Sequence, residues 1–202
     1  TIAFSIPVIT DALIQNRTPG GRKCSQILLY PRNDLAKDQF KELQDVLKHL
    51  NYNFISQGET TRVIGIALDA DGLIKKQLNN YPTTGGEQVA WNVGGGNVYN
   101  SSVQKYAGND SHRAPAAIVA CSIESFRRRL RIPEVLDGLA RGLQRIVSDE
   151  VHLCSSTQGA HVSNILKRCQ KIVQEKTERE LTFMGVSATI AKPRRHVAKI
   201  WF

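Results

Sequence analysis

Apolar positions along this chain follow two rhythms. Three short unbroken runs, "QILLY" (26–30), "RVIGIAL" (62–68) and "AAIVAC" (116–121), are bounded by turn formers and read as strands buried on both faces. Elsewhere apolar residues recur every three or four positions, the spacing of a helix with one face in a core. Phe40, Leu43, Val46, Leu47 and Leu50 stripe a helix over about 34–50, with Asn33 or Asp34 to cap its free N–H groups and Asn51 and Asn53 at its exit. Ser122 caps a short helix, "IESFRRRL", that Pro133 must end or restart. Pro133 then suits the first turn of a helix over about 133–148 with Val135, Leu136, Leu139, Leu143, Ile146 and Val147 on its apolar face. Gly138 and Gly142, four apart, share a face that admits close backbone approach.

Val162, Ile165, Leu166, Cys169, Ile172 and Val173 stripe a further helix over about 158–180. Two strand-like runs, "LTFMGVSATI" (181–190) and "HVAKIWF" (196–202), close the chain. Residues 79–114 break both rhythms, being rich in Gly, Asn, Ser and Thr around Trp91, Val93, Val98 and Tyr99. That stretch reads as a hairpin turning at Gly94–Gly96, or as a long loop, centred on 82–112. Together these elements predict one globular domain over 1–202, α/β or α+β, with a mixed sheet of about five to seven strands and three or four helices.

Composition agrees: 202 residues with 41% hydrophobic and 22% charged suit a single packed core. No apolar run approaches the roughly 20 residues needed to cross a bilayer, and "TIAFSIPVIT" lacks the basic n-region of a signal peptide. The expectation is an intracellular protein, and the sequons at Asn16, Asn100 and Asn109 are then chance matches. Cys24, Cys121, Cys154 and Cys169 are far apart with no C-x-x-C pair, so they read as reduced core residues rather than zinc ligands.

Charge changes the picture once it is placed. Residues 1–112 hold 11 Lys and Arg against 10 Asp and Glu, whereas residues 113–202 hold 16 against 8. Nearly all of the net +9 therefore sits in the C-terminal 90 residues. Arg127, Arg128, Arg129 and Arg131 cluster in "FRRRLR", Arg141 and Arg145 are i, i+4 neighbours, and Lys192, Arg194, Arg195 and Lys199 follow near the end. Arginine forks match phosphate oxygens, and several together release counterions from a polyanion. With no zinc finger, RNP motif or GXXG, the expected contact is with the RNA or DNA backbone rather than base edges. The leading expectation is thus a non-catalytic nucleic-acid-binding or assembly protein of the nucleocapsid or structural kind, capable of self-association and needing no cofactor. An anionic membrane surface is a further target of the same charge.

The second reading is catalytic. In "RVIGIALDADGLIKK" an apolar strand ends in Asp69 and Asp71, two hard oxygen ligands able to share one Mg²⁺. The pattern resembles the D-x-D element of Toprim-type nucleases and primases over about ten residues, and that resemblance implies a Mg-dependent nuclease or phosphotransferase. The family also carries a glutamate at the end of an earlier strand. Here the matching end of "QILLY" carries Pro31, Arg32, Asn33 and Asp34. Asp and Gly also make an ordinary turn, which is the competing reading of "DADG". A Cys154 pair with His152 or His161 is a weaker nucleophile candidate.

Overall fold

The computed structural model describes residues 4–17, 24–59, 62, 64–69, 116–154, 156–188 and 192–201. Helix α1 (Ser5–Asn16) precedes strand β1 (Gln26–Tyr30), helix α2 (Asn33–Ser56) and strand β2 (Ile66–Asp69). Strand β3 (Ile118–Ser122) leads into α3 (Ile123–Arg129) and α4 (Pro133–Gly142), then β4 (Arg145–Ser148). A 3₁₀ turn (Val151–Leu153), α5 (Ser156–Thr177), β5 (Thr182–Gly185) and α6 (Pro193–Trp201) complete the order.

The five strands form one sheet in the order β2-β3-β1-β4-β5, and every pairing is parallel. The fold is therefore α/β, with five strands where five to seven were expected, a parallel rather than mixed sheet, and six α-helices among the described residues. Parallel strands need helices on both faces, which is why β1, β2 and β3 read as continuous apolar runs. Alternate residues of β1 divide between two cores. Ile27 and Leu29 pack with Phe126, Leu139, Leu166 and Cys169 of α3, α4 and α5. Leu28 and Tyr30 pack with Val8 and Ala12 of α1 and with Phe40, Leu43 and Leu47 of α2. The route from β1 to β2 runs one way along the sheet over the α2 face. The routes from β3 to β4 and from β4 to β5 run the other way over the opposite face. Opposite directions on opposite faces share one hand, as the right-handed crossover rule demands. β5 pairs on one side only among the described residues.

Several local expectations are met. Ser122 caps α3 by accepting the Ser125 N–H at 3.2 Å, and Pro133 occupies the first turn of α4. Val162, Ile165, Leu166, Cys169 and Val173 are the buried stripe of α5, and all four cysteines are free and buried.

Others are corrected. α2 continues past Asn51 to Ser56 because the Asn51 side chain is buried and engaged: its Nδ2 donates to the Ile64 carbonyl at 2.8 Å and its Oδ1 accepts the Ile64 N–H at 2.9 Å. The helix expected over 133–148 stops at Gly142, and Ile146 and Val147 enter the sheet beside β1, where β-branched side chains fit the pleat. The final run, expected as a strand, is helix α6: Pro193 opens it, and alternation in "HVAKIWF" gives way to Val197, Ile200 and Trp201 facing the core. Within "LTFMGVSATI" only Thr182–Gly185 is strand. α1 lies in a stretch for which no element was expected. The Gly-rich hairpin at 82–112 lies outside the described residues.

Candidate functional site

A parallel sheet gathers all its strand exits on one edge, and ligands bind there where the chain reverses its direction of travel. In this sheet the reversal falls between β1 and β4. The residues at that crevice are Tyr30 and Pro31 leaving β1, and Asp149 and Glu150 leaving β4. α1 points its N-terminus at the same edge. Asp11 and Gln15, late in the helix, meet Arg145 and the Gly142 carbonyl at the opposite edge, whereas Phe4 and Ser5 line a cavity of about 250 Å³ with Leu28, Tyr30 and Leu43.

Asp149 is 6% exposed and fixed at both ends of the residue. Its N–H donates to the Leu29 carbonyl at 2.9 Å, and its Oδ1 accepts the Glu150 N–H at 2.8 Å. Burial pushes its carboxyl above the ordinary aspartate value. Burial, followed by the negative charge of Asp149, also pushes up the Tyr30 phenol across the crevice. Glu150 has φ 49° and ψ 43°, the left-handed region that an L-residue with a long side chain rarely adopts. Such strain persists only where neighbours over-determine it, and it concentrates at functional sites.

The turn after Glu150 supplies those neighbours. The Val151 N–H donates to the Val186 carbonyl at 3.0 Å, and the Val186 N–H to the Ser148 carbonyl at 2.9 Å. The Val151 carbonyl accepts from His196 Nε2 at 2.8 Å. His152 Nδ1 stands 2.9 Å from Ser187 Oγ and 3.0 Å from Glu150 Oε2. That glutamate oxygen is enclosed, and His152 Nδ1 is the polar atom beside it. Cys154 makes no hydrogen bond to His152 or His161 and lies in the core beside α5, so the Cys–His pair does not form.

The basic residues divide between the two edges. Arg127 and Arg128 are exposed on α3, which starts from the exit of β3; Arg127 holds Glu124 at 2.8 Å, and Arg128 stands 3.9 Å from it. Arg131 is exposed just beyond. Lys192, Arg194 and Arg195 are exposed where α6 starts beyond β5, with Lys199 further along it, and none makes an ion pair among the described residues. These two groups flank the crevice. Arg141 and Arg145 do not join them, because the end of α4 and the start of β4 lie at the opposite edge. Arg141 pairs with Asp137, and Arg145, only 15% exposed, pairs with Asp11, both at 2.8 Å. Asp69 is 1% exposed and Arg129 closes on it from α3. The expected D-x-D partner, Asp71, lies outside the described residues.

Asp149, Glu150 and Ser187 were not among the candidates read from the sequence. The signal was present: "RIVSDE" is an apolar β-branched run ending in two acids, the same form as "IALDAD". Assigning Ile146 and Val147 to a helix concealed it. Among the described residues no group of three or more His, Cys, Asp or Glu side chains converges as a metal site, and no helix is long and apolar enough to cross a membrane.

Neither protein-family models nor curated proteins match this sequence. Solved structures share its fold. The DUF1998 helicase MrfA bound to DNA superposes with a TM-score of 0.59 and 17% identity, covering 98% of this chain and 20% of that one. The same helicase bound to DNA and AMPPNP gives 0.59 and 17%, covering 98% and 21%. The Mycobacterium smegmatis helicase Lhr bound to ssDNA and AMP-PNP gives 0.57 and 18%, covering 86% and 18%. The chain thus spans about a fifth of the length of each, and what it shares with a region of these helicases is the α/β fold.

Proposed function

We propose that this chain forms part of the nucleotide-binding core of a nucleic-acid-dependent nucleoside triphosphatase of the helicase kind. The observation that carries the reading is the seat of Asp149 and Glu150, at the exit of β4 beside the switch point of a parallel sheet. In P-loop enzymes an aspartate on such a strand holds the magnesium of the bound nucleotide. The residues fit that ion. Mg²⁺ is bound through one or two carboxylates, with phosphates and water completing its shell, so two acids without a full protein cage suit it. Asp149 is desolvated in a way that a cation would relieve, and Glu150 stands next to it with an enclosed oxygen 3.0 Å from His152 Nδ1. Bound magnesium would neutralise charge developing on the phosphate oxygens. Asp149 would hold the ion, and Glu150, fixed in its unusual backbone conformation, would orient water and accept its proton.

The exposed cations at the ends of α3 and α6 suit a nucleic-acid backbone passing over the same edge: Arg127, Arg128 and, just past α3, Arg131 on one side, Lys192 just before α6 with Arg194 and Arg195 on the other. On this reading the phosphoryl-transfer chemistry expected at Asp69 and Asp71 belongs to the exit of β4 instead. The test is Mg-dependent ATP hydrolysis by the full-length protein, with and without single-stranded DNA or RNA. Glu150→Gln is expected to lower the rate about 100-fold, the scale of a lost general base, with nucleic-acid retention unchanged. Equal rates for the two proteins, or no hydrolysis by the wild type with any nucleic acid, overturns the proposal. Salt-sensitive retention alone would then favour a backbone-binding module without catalysis.

A further inference from the structure

The left-handed backbone at Glu150 needs restraint on both sides, and one restraint comes from a side chain distant in sequence. Asp149 is tied to β1 through Leu29 and to Glu150 through its own carboxylate. On the other side the Val151 N–H is held by Val186, while His196 of α6 reaches the Val151 carbonyl. A carbonyl only accepts, so Nε2 of His196 must carry the proton. The next residue of α6, Val197, meets the same turn across Gly185. A Cβ on Gly185 would stand 3.0 Å from Val197 and 3.2 Å from Val151, so β5, the turn and α6 meet without spare room.

We infer that His196 is a positioning residue for Glu150, holding the turn after the acidic pair by a hydrogen bond from the basic helix α6. The inference rests on the role proposed for Glu150. It adds a physical link between the helix that presents Arg194 and Arg195 and the acids one turn away. His196 touches neither acid. It acts through the peptide that follows Glu150, so its loss alters the placement of that carboxylate rather than its chemistry.

Two measurements on the full-length protein test it, comparing His196→Leu, which fills the space without a donor, with His196→Gln, whose amide can donate. Amide hydrogen exchange over residues 149–153 is expected to rise at least tenfold in His196→Leu and to return towards wild type in His196→Gln. ATP hydrolysis is expected to fall about tenfold in kcat, with little change in KM, and to be restored in the same order, the scale seen when an outer partner of a site is removed. Exchange unchanged in His196→Leu, or equal effects of Leu and Gln, overturns the inference. A wild type that hydrolyses no nucleotide sinks the proposed function instead, and the exchange data still decide whether His196 restrains the turn.

Discussion

Arg129 closes both Nε and Nη2 on the carboxylate of Asp69, at 2.9 and 3.1 Å, and so ties the end of α3 to the end of β2 across 60 residues of sequence. The aspartate is 1% exposed and the arginine 28%, so most of the pair is out of water. Removing one partner leaves a buried charge uncompensated. Asp69→Asn and Arg129→Ala are each expected to lower unfolding free energy by about 3 kcal/mol. The double variant should cost clearly less than the sum of the singles. Additive losses in urea denaturation would show that the pair is not coupled.

The raised carboxyl of Asp149 has a stability consequence with a definite sign. Burial makes this group hold its proton more tightly folded than unfolded. Its contribution is therefore full below the ordinary aspartate value, about 4, and is lost as pH rises through the elevated folded value. Asp149→Asn, which keeps an oxygen for the Glu150 N–H, is expected to raise the melting temperature at pH 7. The gain should shrink to nothing by about pH 3, below that value. A variant less stable than wild type at pH 7 contradicts the desolvation argument.

Gly159, in the first turn of α5, marks a close approach of backbone to backbone. A Cβ there would stand 2.6 Å from the Cys154 carbonyl oxygen, which has no flexible end to move aside. Gly159→Ala should destabilise by about 1–3 kcal/mol, the range for forced overpacking, despite alanine's better helix propensity. A denaturant midpoint equal to or above wild type would refute this.

The cationic groups should separate by edge. Replacing Arg127 and Arg128 by Ala should flatten the dependence of nucleic-acid affinity on log salt by about two, one for each lost phosphate contact. Arg145→Ala should leave that slope alone and lower the melting temperature, because its side chain is largely buried at the opposite edge of the sheet, against Asp11. The opposite pattern would move the polyanion to the other edge of the sheet.

The thiols give a chemical check on the core. Burial pushes Cys169 up to about 12 and raises Cys24 further, so neither forms thiolate near neutrality. Iodoacetamide at pH 8 should leave both unmodified in the native protein and label all four cysteines in denaturant, read by mass spectrometry.

The strands and helices most legible in the sequence were those whose pattern and environment agree. β1, β3 and the stripe of α5 are apolar where they are buried, and local rules suffice. The failures share one cause, which is that partners distant in sequence decided the outcome. Ile146 and Val147 continue a helical rhythm from Leu139 and Leu143, yet the open place beside β1 draws them into a strand. Val197 and Trp201 alternate like a strand, but Pro193 and the packing against Gly185 and Phe183 make them helical. The basic clusters were visible as composition, while their division between edges follows from topology. Asp149 and Glu150 gain meaning only from the strand before them and the reversal beside it.

The outer edge of β5 leaves a row of backbone donors and acceptors without a strand partner among the described residues. Thr182–Gly185 carries no lysine or proline, but it is only four residues long, and very short edge strands are one way sheets keep bare edges apart. A second copy pairing along this edge would gain few main-chain bonds, so the shortness of β5 guards the sheet against self-templating.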